Sequence, residues 1–239
     1  MNILKEFKVN DKCSYLSDKN QTTHYKLIEE CSTAHCQDLI ERGYRRFGRM
    51  FFRPICSSCD ECKSIKIDVQ NFKFSSSQRR VIRKAAEIKS YIQRPTISKT
   101  HLALFEKYHL FMGEKKNWDY SPSSAQSYYA SFVDAPNDFG YEVLYFHEEK
   151  LIGVDLIDVL DDGVSSIYFY YDPEYRGYSL GKLSLYNQIM FAKRSNKRWI
   201  YLGYYVKECP SLSYKSHYKP YKTLDGRPSI YEEPKWLVT

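Results

Sequence analysis

Between residues 141 and 206 the sequence is punctuated so regularly that few folds can accommodate it. Tyr141–His147, Leu151–Leu160 and Val164–Tyr171 are three runs rich in strand-forming residues, separated by Glu148-Glu149-Lys150 and by Asp161-Asp162-Gly163. The second connector is a hairpin signal, because Gly accepts the positive φ of a tight turn. Asp172-Pro173 stops the third run, and a Gly-containing loop leads into a helix over 179–195. Trp199–Val206 reads as a fourth strand, and Pro210-Ser211 opens a short helix after it. Three antiparallel strands, a loop entering a helix and one further strand predict a mixed α+β fold. Its sheets are mostly antiparallel and flanked by helices.

The first half is patterned less evenly. Residues 1–30 are polar and read as irregular, apart from the segment around Cys13. A helix is expected over 34–42, stopped by Gly43. Phe47–Arg53 and Ser64–Val69 read as strands flanking a cysteine turn, the second alternating Ile65, Ile67 and Val69 with polar neighbours. Ser75-Ser76-Ser77 offers an N-cap to a basic helix from Gln78 to Tyr91. Ser98 caps another helix, with Leu102, Phe105, His109 and Met112 along one face, and a short helix is expected near 123–133. Gly113, Pro122 and Pro136 interrupt the pattern, so a boundary is placed between a Cys-containing basic domain, 1–112, and a second domain, 113–239.

Charge follows that division. Residues 1–120 hold 23 Lys and Arg against 14 Asp and Glu, whereas 121–239 hold 13 against 15. Within 42–94 the imbalance is 14 basic to 4 acidic. A concentrated positive field attracts phosphate backbones through steering and counterion release, although a solvated basic face would look the same. Hydrophobic residues make up 43% and charged residues 27%, as in ordinary globular chains. No stretch approaches the ~18 apolar residues of a membrane span, and the N-terminus lacks the apolar core of a signal peptide. A cytosolic chain with no membrane partner is expected.

Seven cysteines in such a compartment argue against a disulfide framework. Cys56, Cys59 and Cys62 are spaced C-x-x-C-x-x-C, and Cys13 is the natural distant fourth, a set suited to tetrahedral zinc or an iron–sulfur cluster. The alternative is reduced thiols packing as small apolar groups, the reading given to Cys31, Cys36 and Cys209. His24 and His35 read as ordinary surface or core histidines. The loop Arg176-Gly177-Tyr178-Ser179-Leu180-Gly181 enters a helix whose first N–H groups lack intrahelical partners, so it can hold an anion; taken alone it reads equally as a Gly-bearing helix entrance with no ligand. Strand order and loop together are those of the acetyltransferase-type (GNAT) fold, in which the third and fourth strands splay to admit an acyl donor.

These pieces occur in a specific series. Cys13-Ser14-Tyr15-Leu16, Gly43-Tyr44-Arg45-Arg46-Phe47-Gly48-Arg49 and Phe52-Arg53-Pro54-Ile55-Cys56 are followed by Ser77-Gln78-Arg79-Arg80 and Gly153-Val154. Then come Asp158 to Gly163, Tyr170-Tyr171-Asp172-Pro173, Ser179-Leu180-Gly181, Tyr201 to Tyr205 and Tyr214-Lys215-x-x-Tyr218-x-Pro220. Across residues 12–227 the sequence resembles the bacterial branch of the arginyltransferase family, the aspartate/glutamate leucyltransferases. The resemblance implies a duplicated GNAT arrangement, with a Cys-bearing N-terminal domain and a C-terminal transferase domain. It implies transfer of leucine from Leu-tRNA to proteins that begin with Asp or Glu, marking them for N-degron proteolysis. Arginine is the alternative donor. A coenzyme-A-dependent N-acyltransferase and a metal-sensing nucleic-acid binder are more distant readings. Eukaryotic relatives carry paired cysteines, but here Leu16 stands where the second would be.

The implied chemistry needs no cofactor, since the ester is already activated and the acceptor is an α-amine of pKa ~7.7–8.0. Positioning and an oxyanion hole suffice. Backbone N–H groups beside Tyr168–Tyr171 are the candidates for that hole, with Tyr170 or Tyr204 moving protons, unless those tyrosines only pack the splay. Arg45 and Arg46, with Tyr214 and Lys215 nearby, are the candidates for reading the acidic first side chain, because a guanidinium meets a carboxylate bidentately. Phosphate contact is the competing role for Arg45, Arg49 and Arg53. For the donor tRNA the candidates are Arg176, Ser179, Leu180 and Gly181 in the loop and Arg79, Arg80, Arg83 and Lys84 on the basic helix.

Overall fold

The computed structural model describes residues 1–116 and 122–238. Where irregular chain was expected, β1 (Asn2–Lys12) and β2 (Asn20–Glu30) form an antiparallel hairpin. Only Ile3 and Phe7 of β1 are half-buried, so this edge strand carries no alternation to betray it. α1 (Thr33–Glu41) is capped by Ser32, whose side chain accepts the His35 N–H. β3 (Arg45–Phe47) and β4 (Met50–Pro54) complete a four-stranded sheet of order β1-β2-β4-β3. The cysteine-bearing residues 55–62 then cross to a second sheet, which β5 (Lys63–Asp68) enters.

α2 (Ser76–Lys84) opens on a capping box between Ser75 and Gln78 but ends well before Tyr91. Ile88–Gln93 is instead β6, paired with the strand 140–147. Sheet pairing of Ile88, Tyr91 and Ile92 overrides the helical reading. α3 (Lys99–Lys116) is capped by Ser98 and runs through Gly113. The expected division at 112/113 therefore falls inside a helix. α4 (Ala125–Tyr128) continues into a π-helical turn, Tyr129–Val133.

The remaining elements follow the expected order: β7 (Gly140–His147), β8 (Lys150–Val159), β9 (Gly163–Tyr171), α5 (Leu180–Arg194), β10 (Trp199–Tyr205) and α6 (Pro210–Ser213), with β11 (Tyr221–Leu224) and β12 (Trp236–Val238) at the end. They join β5 and β6 in an eight-stranded sheet of order β12-β11-β5-β10-β9-β8-β7-β6. Only β9 and β10 run parallel. This is the mixed α+β, GNAT-like arrangement expected from the pattern. The smaller sheet has its own all-antiparallel order.

Gly163 serves a purpose other than the one expected. It has no positive φ; a Cβ there would stand 2.6 Å from the Tyr201 ring and 2.8 Å from the Trp199 carbonyl. The glycine lets β10 approach the start of β9.

The large sheet is covered on both faces. Leu185, Tyr186, Ile189 and Ala192 of α5 pack on Ile65, Ile67, Ile157 and Ile200. Leu104 and Phe105 of α3, with Tyr128, pack on Leu144, Val154, Leu156 and Tyr170. At ~1.5–3 kcal/mol for each large apolar side chain fully buried, these layers fix the sheet on which the site is built. Among the described residues no helix is long and apolar enough to cross a membrane.

Candidate active site where two parallel strands part

β9 and β10 pair at only three positions, Gly163↔Trp199, Val164↔Ile200 and Ser165↔Tyr201, and then separate. Two bulges steer them apart. Against β8, Ser166 faces Ile157 and Tyr168 faces Leu156, which leaves Ile167 as the extra residue. Against β5, Tyr201 faces Lys66 and Tyr204 faces Ser64, so β10 carries an extra residue at Leu202-Gly203. Gly203 adopts φ +72°.

Arg45, reaching in from β3, occupies the gap. Its Nη2 donates to the Ile167 carbonyl at 2.9 Å and to that of Ser166 at 3.3 Å. These acceptors lie where the pairing with β10 has ended. A Cβ on residue 203 would stand 2.6 Å from Arg45 Nε, so the close approach also demands glycine. The Arg45 guanidinium lies 6.0 Å from the Tyr204 ring.

Lys215 comes to the same place from the 3-10 turn Tyr214–His217. It is 6% exposed, and its Nζ donates to the Tyr204 carbonyl at 2.6 Å. Burial, reinforced by the Arg45 charge, holds its amine well below the ordinary lysine range, with Cys209 pulling weakly the other way. Tyr15 joins the group: burial raises its hydroxyl and Arg45 opposes the rise. Tyr214 stands at the rim, 46% exposed. The structure thus brings Arg45, Tyr204, Tyr214 and Lys215 together and adds Tyr15, which the sequence flagged only as part of a motif.

Other candidates are engaged elsewhere. Arg46 is 3% exposed and meets the fully buried Asp158 through Nε–Oδ2 at 2.9 Å and Nη2–Oδ1 at 2.5 Å, while Nη1 donates to the Gly48 carbonyl. It clamps the small sheet to the large one and is not available to a substrate. Arg49 pairs with Asp134 at 2.9 Å, and Arg53 stacks on Tyr44 and donates to the carbonyls of Arg42 and Pro228.

Both candidate proton carriers are also committed. The Tyr170 hydroxyl meets that of Tyr128 at 2.6 Å in the core, and the Tyr204 hydroxyl donates to the carbonyls of Phe52 and Gly43 at 3.0 and 3.2 Å. Burial raises both far above the usual phenol range. They hold strands rather than move protons. Beside β9, His109 of α3 stacks on Tyr168, with Nε2 at 2.8 Å from the Tyr168 hydroxyl. The helical spacing of α3 marked His109 only as a packing residue.

The donor candidates form a second group. After the 3-10 turn Pro173–Tyr178, Ser179 takes φ +56° and α5 begins without a side-chain cap. Lys182 and Leu183 donate to the Ser179 carbonyl, which leaves the Leu180 and Gly181 N–H groups at a helix start of the kind that binds anions. A Cβ on Gly177 or Gly181 would meet nothing, so both glycines border open space. Leu180 is 1% exposed and packs with Ala85, Tyr145 and Leu183, so its side chain belongs to the core. Arg176, Arg79, Arg80, Arg83 and Lys84 are exposed. Lys84 Nζ donates to the Gly177 carbonyl at 2.8 Å, which sets the basic helix directly beside the loop.

The family model for the arginine-tRNA-protein transferase N terminus matches residues 11–80, and that for the C terminus matches residues 100–225. The aspartate/glutamate leucyltransferase of a Campylobacter jejuni serotype O:6 strain is 50% identical over 224 residues, 94% of each chain. That of Helicobacter hepaticus is 38% identical over 236 residues, 99% of this chain and 98% of its own. The chain belongs to the aspartate/glutamate leucyltransferase family. Among solved structures it is similar to L-PGS from Bacillus licheniformis, at TM-score 0.45 and 15% identity over 72% of this chain and 49% of that one. It is also similar to a GNAT-family acetyltransferase of Staphylococcus aureus, at TM-score 0.41 and 19% identity over 61% and 93%.

For this member of the leucyltransferase family the cysteine group can be tested as a metal site. Cys62 is pushed up to about 12, chiefly by burial and then by the neighbouring Cys13, Cys56 and Cys59, so the four thiols do gather. Yet Cys56 Sγ accepts the Thr22 N–H at 3.4 Å, Cys59 Sγ receives Lys19 Nζ at 3.8 Å, and Cys13, Cys59 and Cys62 pack against Leu16 and Val206. Among the described residues no three Cys, His, Asp or Glu side chains converge as ligands of one ion. No step of the chemistry runs through a metal or a cluster. Arg227 instead braces the turn, donating to the carbonyls of Cys56 and Cys59 at 2.9 and 2.7 Å.

Proposed function

We propose that this chain transfers leucine from Leu-tRNA to the α-amine of proteins beginning with Asp or Glu, labelling them for N-degron proteolysis. The observation that carries the reading is end-to-end similarity, at 50% identity over 94% of both chains, to relatives named aspartate/glutamate leucyltransferase. Geometry supports it. The parted edge of β9 offers backbone groups around Tyr168–Tyr171 for the acyl carbonyl of the donor. The uncapped start of α5 and the adjoining basic helix α2 suit phosphates of the tRNA end. Arg45, half-buried at the parting of the strands, supplies a cation whose attraction for an acceptor carboxylate is strengthened by its low-dielectric surroundings.

The ester carbon is attacked directly by the acceptor nitrogen, a C–N bond replaces the C–O bond, and the ribose hydroxyl leaves. Holding the two substrates in line supplies much of the acceleration. The test is to incubate the purified protein with Leu-tRNA or Arg-tRNA and peptides beginning Asp, Glu or Lys. Transfer of leucine to the Asp and Glu peptides alone is expected. Transfer of arginine instead would replace the donor, and transfer from neither would end the proposal.

A further inference from the structure

The site holds a second cationic side chain whose surroundings suit it poorly to charge recognition. Lys215 is almost wholly buried, and its Nζ donates to a neutral group, the Tyr204 carbonyl at 2.6 Å. The groups that face it are Arg45 from β3, Tyr204 from β10, Cys209 ahead of α6 and the adjacent Tyr214; among the described residues no carboxylate acts on its charge. An ammonium buried beside a guanidinium, with no anion to balance it, is disfavoured against the free amine. The free amine keeps one N–H on the Tyr204 carbonyl and has a lone pair to offer. Tyr204 is the penultimate residue of β10, past the point where that strand leaves β9, so the amine stands beside the gap that Arg45 occupies.

We propose that Lys215 is the proton acceptor that converts the incoming α-ammonium into the nucleophilic amine. The assignment rests on the transfer reaction proposed above. In the first step an N–H bond of the α-ammonium breaks and the proton forms a new N–H bond on Lys215 Nζ. The freed lone pair then attacks the ester carbon. On collapse the C–O bond breaks, and the departing ribose oxygen takes the proton from Lys215. The remaining surplus proton, lost from the new amide nitrogen, goes to water, and Lys215 is again neutral. Arg45 serves this step as well as recognition, because its charge keeps Lys215 from holding the proton.

The test is a pH profile of single-turnover leucine transfer by the full-length protein and by Lys215→Met, with Leu-tRNA and an Asp-initiated peptide. Met keeps the length and apolar stem of the side chain. For an α-amine of pKa ~7.8, about one molecule in twenty is neutral at pH 6.5 and about five in six at pH 8.5. With its neutral Lys215 the unaltered protein reacts from the ammonium form, whereas the variant must rely on the neutral fraction, so the ratio of their rates falls on the order of 100-fold between pH 6.5 and pH 8.5. A purely structural lysine would lower the rate by one factor at every pH, and parallel profiles would overturn the assignment. A measurement on the unaltered protein is independent of the variant's folding: the Lys215 side-chain NMR signal titrates well below the ordinary lysine midpoint of ~10.4, and an ordinary midpoint would overturn the assignment. If the unaltered protein transfers leucine but either result goes the wrong way, the role of Lys215 falls alone. If it transfers nothing, the functional proposal falls with it.

Discussion

Replacing Arg46 with Met tests whether this guanidinium belongs to the fold or to the substrate. Its two-point contact with Asp158, at 2.9 and 2.5 Å, lies between β3 and β8 with both partners buried. Deleting the cation leaves Asp158 charged and unpaired, a change that costs about 3–5 kcal/mol. Against a total stability of roughly 5–15 kcal/mol, urea unfolding followed by tryptophan fluorescence should show a large drop in midpoint. The double variant Arg46→Met/Asp158→Leu removes both charges and recovers most of the loss, because a buried ion pair replaced by apolar groups is often close to neutral. The same double variant should keep its preference for Asp- and Glu-initiated peptides. A single-variant cost below ~1 kcal/mol would contradict the structural role. A stable double variant that no longer distinguishes Asp from Asn would return Arg46 to the acceptor site.

Four further outcomes are expected. Arg45→Met should reduce kcat/KM for Asp and Glu peptides by about 1.5–3 kcal/mol, the range for charged hydrogen bonds, and an Asn peptide far less; equal losses would confine Arg45 to the fold. Asp155 is fully buried and raised to about 7, chiefly by desolvation. Between pH ~4 and 7 the folded state therefore keeps a proton that the unfolded state has lost, and stability falls by ~4 kcal/mol as pH rises through that window. Asp155→Asn should flatten the slope in urea titrations at pH 5 and 8, and an unaltered slope would refute the assignment. Arg79→Glu with Arg80→Glu should weaken Leu-tRNA binding and make its log–log salt slope shallower by ~0.7–0.9 for each phosphate no longer neutralised; unchanged affinity would remove α2 from the interface. Gly203→Ala should destabilise by ~1–3 kcal/mol and reduce transfer disproportionately, since the added methyl strikes Arg45. Stability loss with full activity would separate the glycine from the site.

The legible part of the chain is the part where local and global signals agree. From β7 to β10 alternation, turn residues and the helix entrance all favour the same elements, and the structure places them within a residue or two of expectation. β6 reads as helix because an edge strand joined to β7 owes its shape to its neighbour rather than to its own sequence. Arg45 and Arg46 show the limit most plainly. Adjacent strand residues point to opposite faces, so one reaches the strand gap and the other Asp158. Which face is which depends on how β3 sits over the large sheet, and no spacing records that. Tyr170 and Tyr204 stand out as polar residues in the right strands, but their hydroxyls satisfy partners in the interior. Lys215 is visible as part of a motif, while its burial emerges only from the turn that folds it back under β10.

The placement of β5 has a consequence for how this polypeptide can be divided. A segment from the first third of the chain lies between β10 and β11, hydrogen-bonded to both. A fragment starting at α3 would lack the ladder that joins its last two strands to the rest, together with Ile65 and Ile67 beneath α5. The halves are thus complementary pieces of one interlocked sheet, and split versions should work only when both are supplied together.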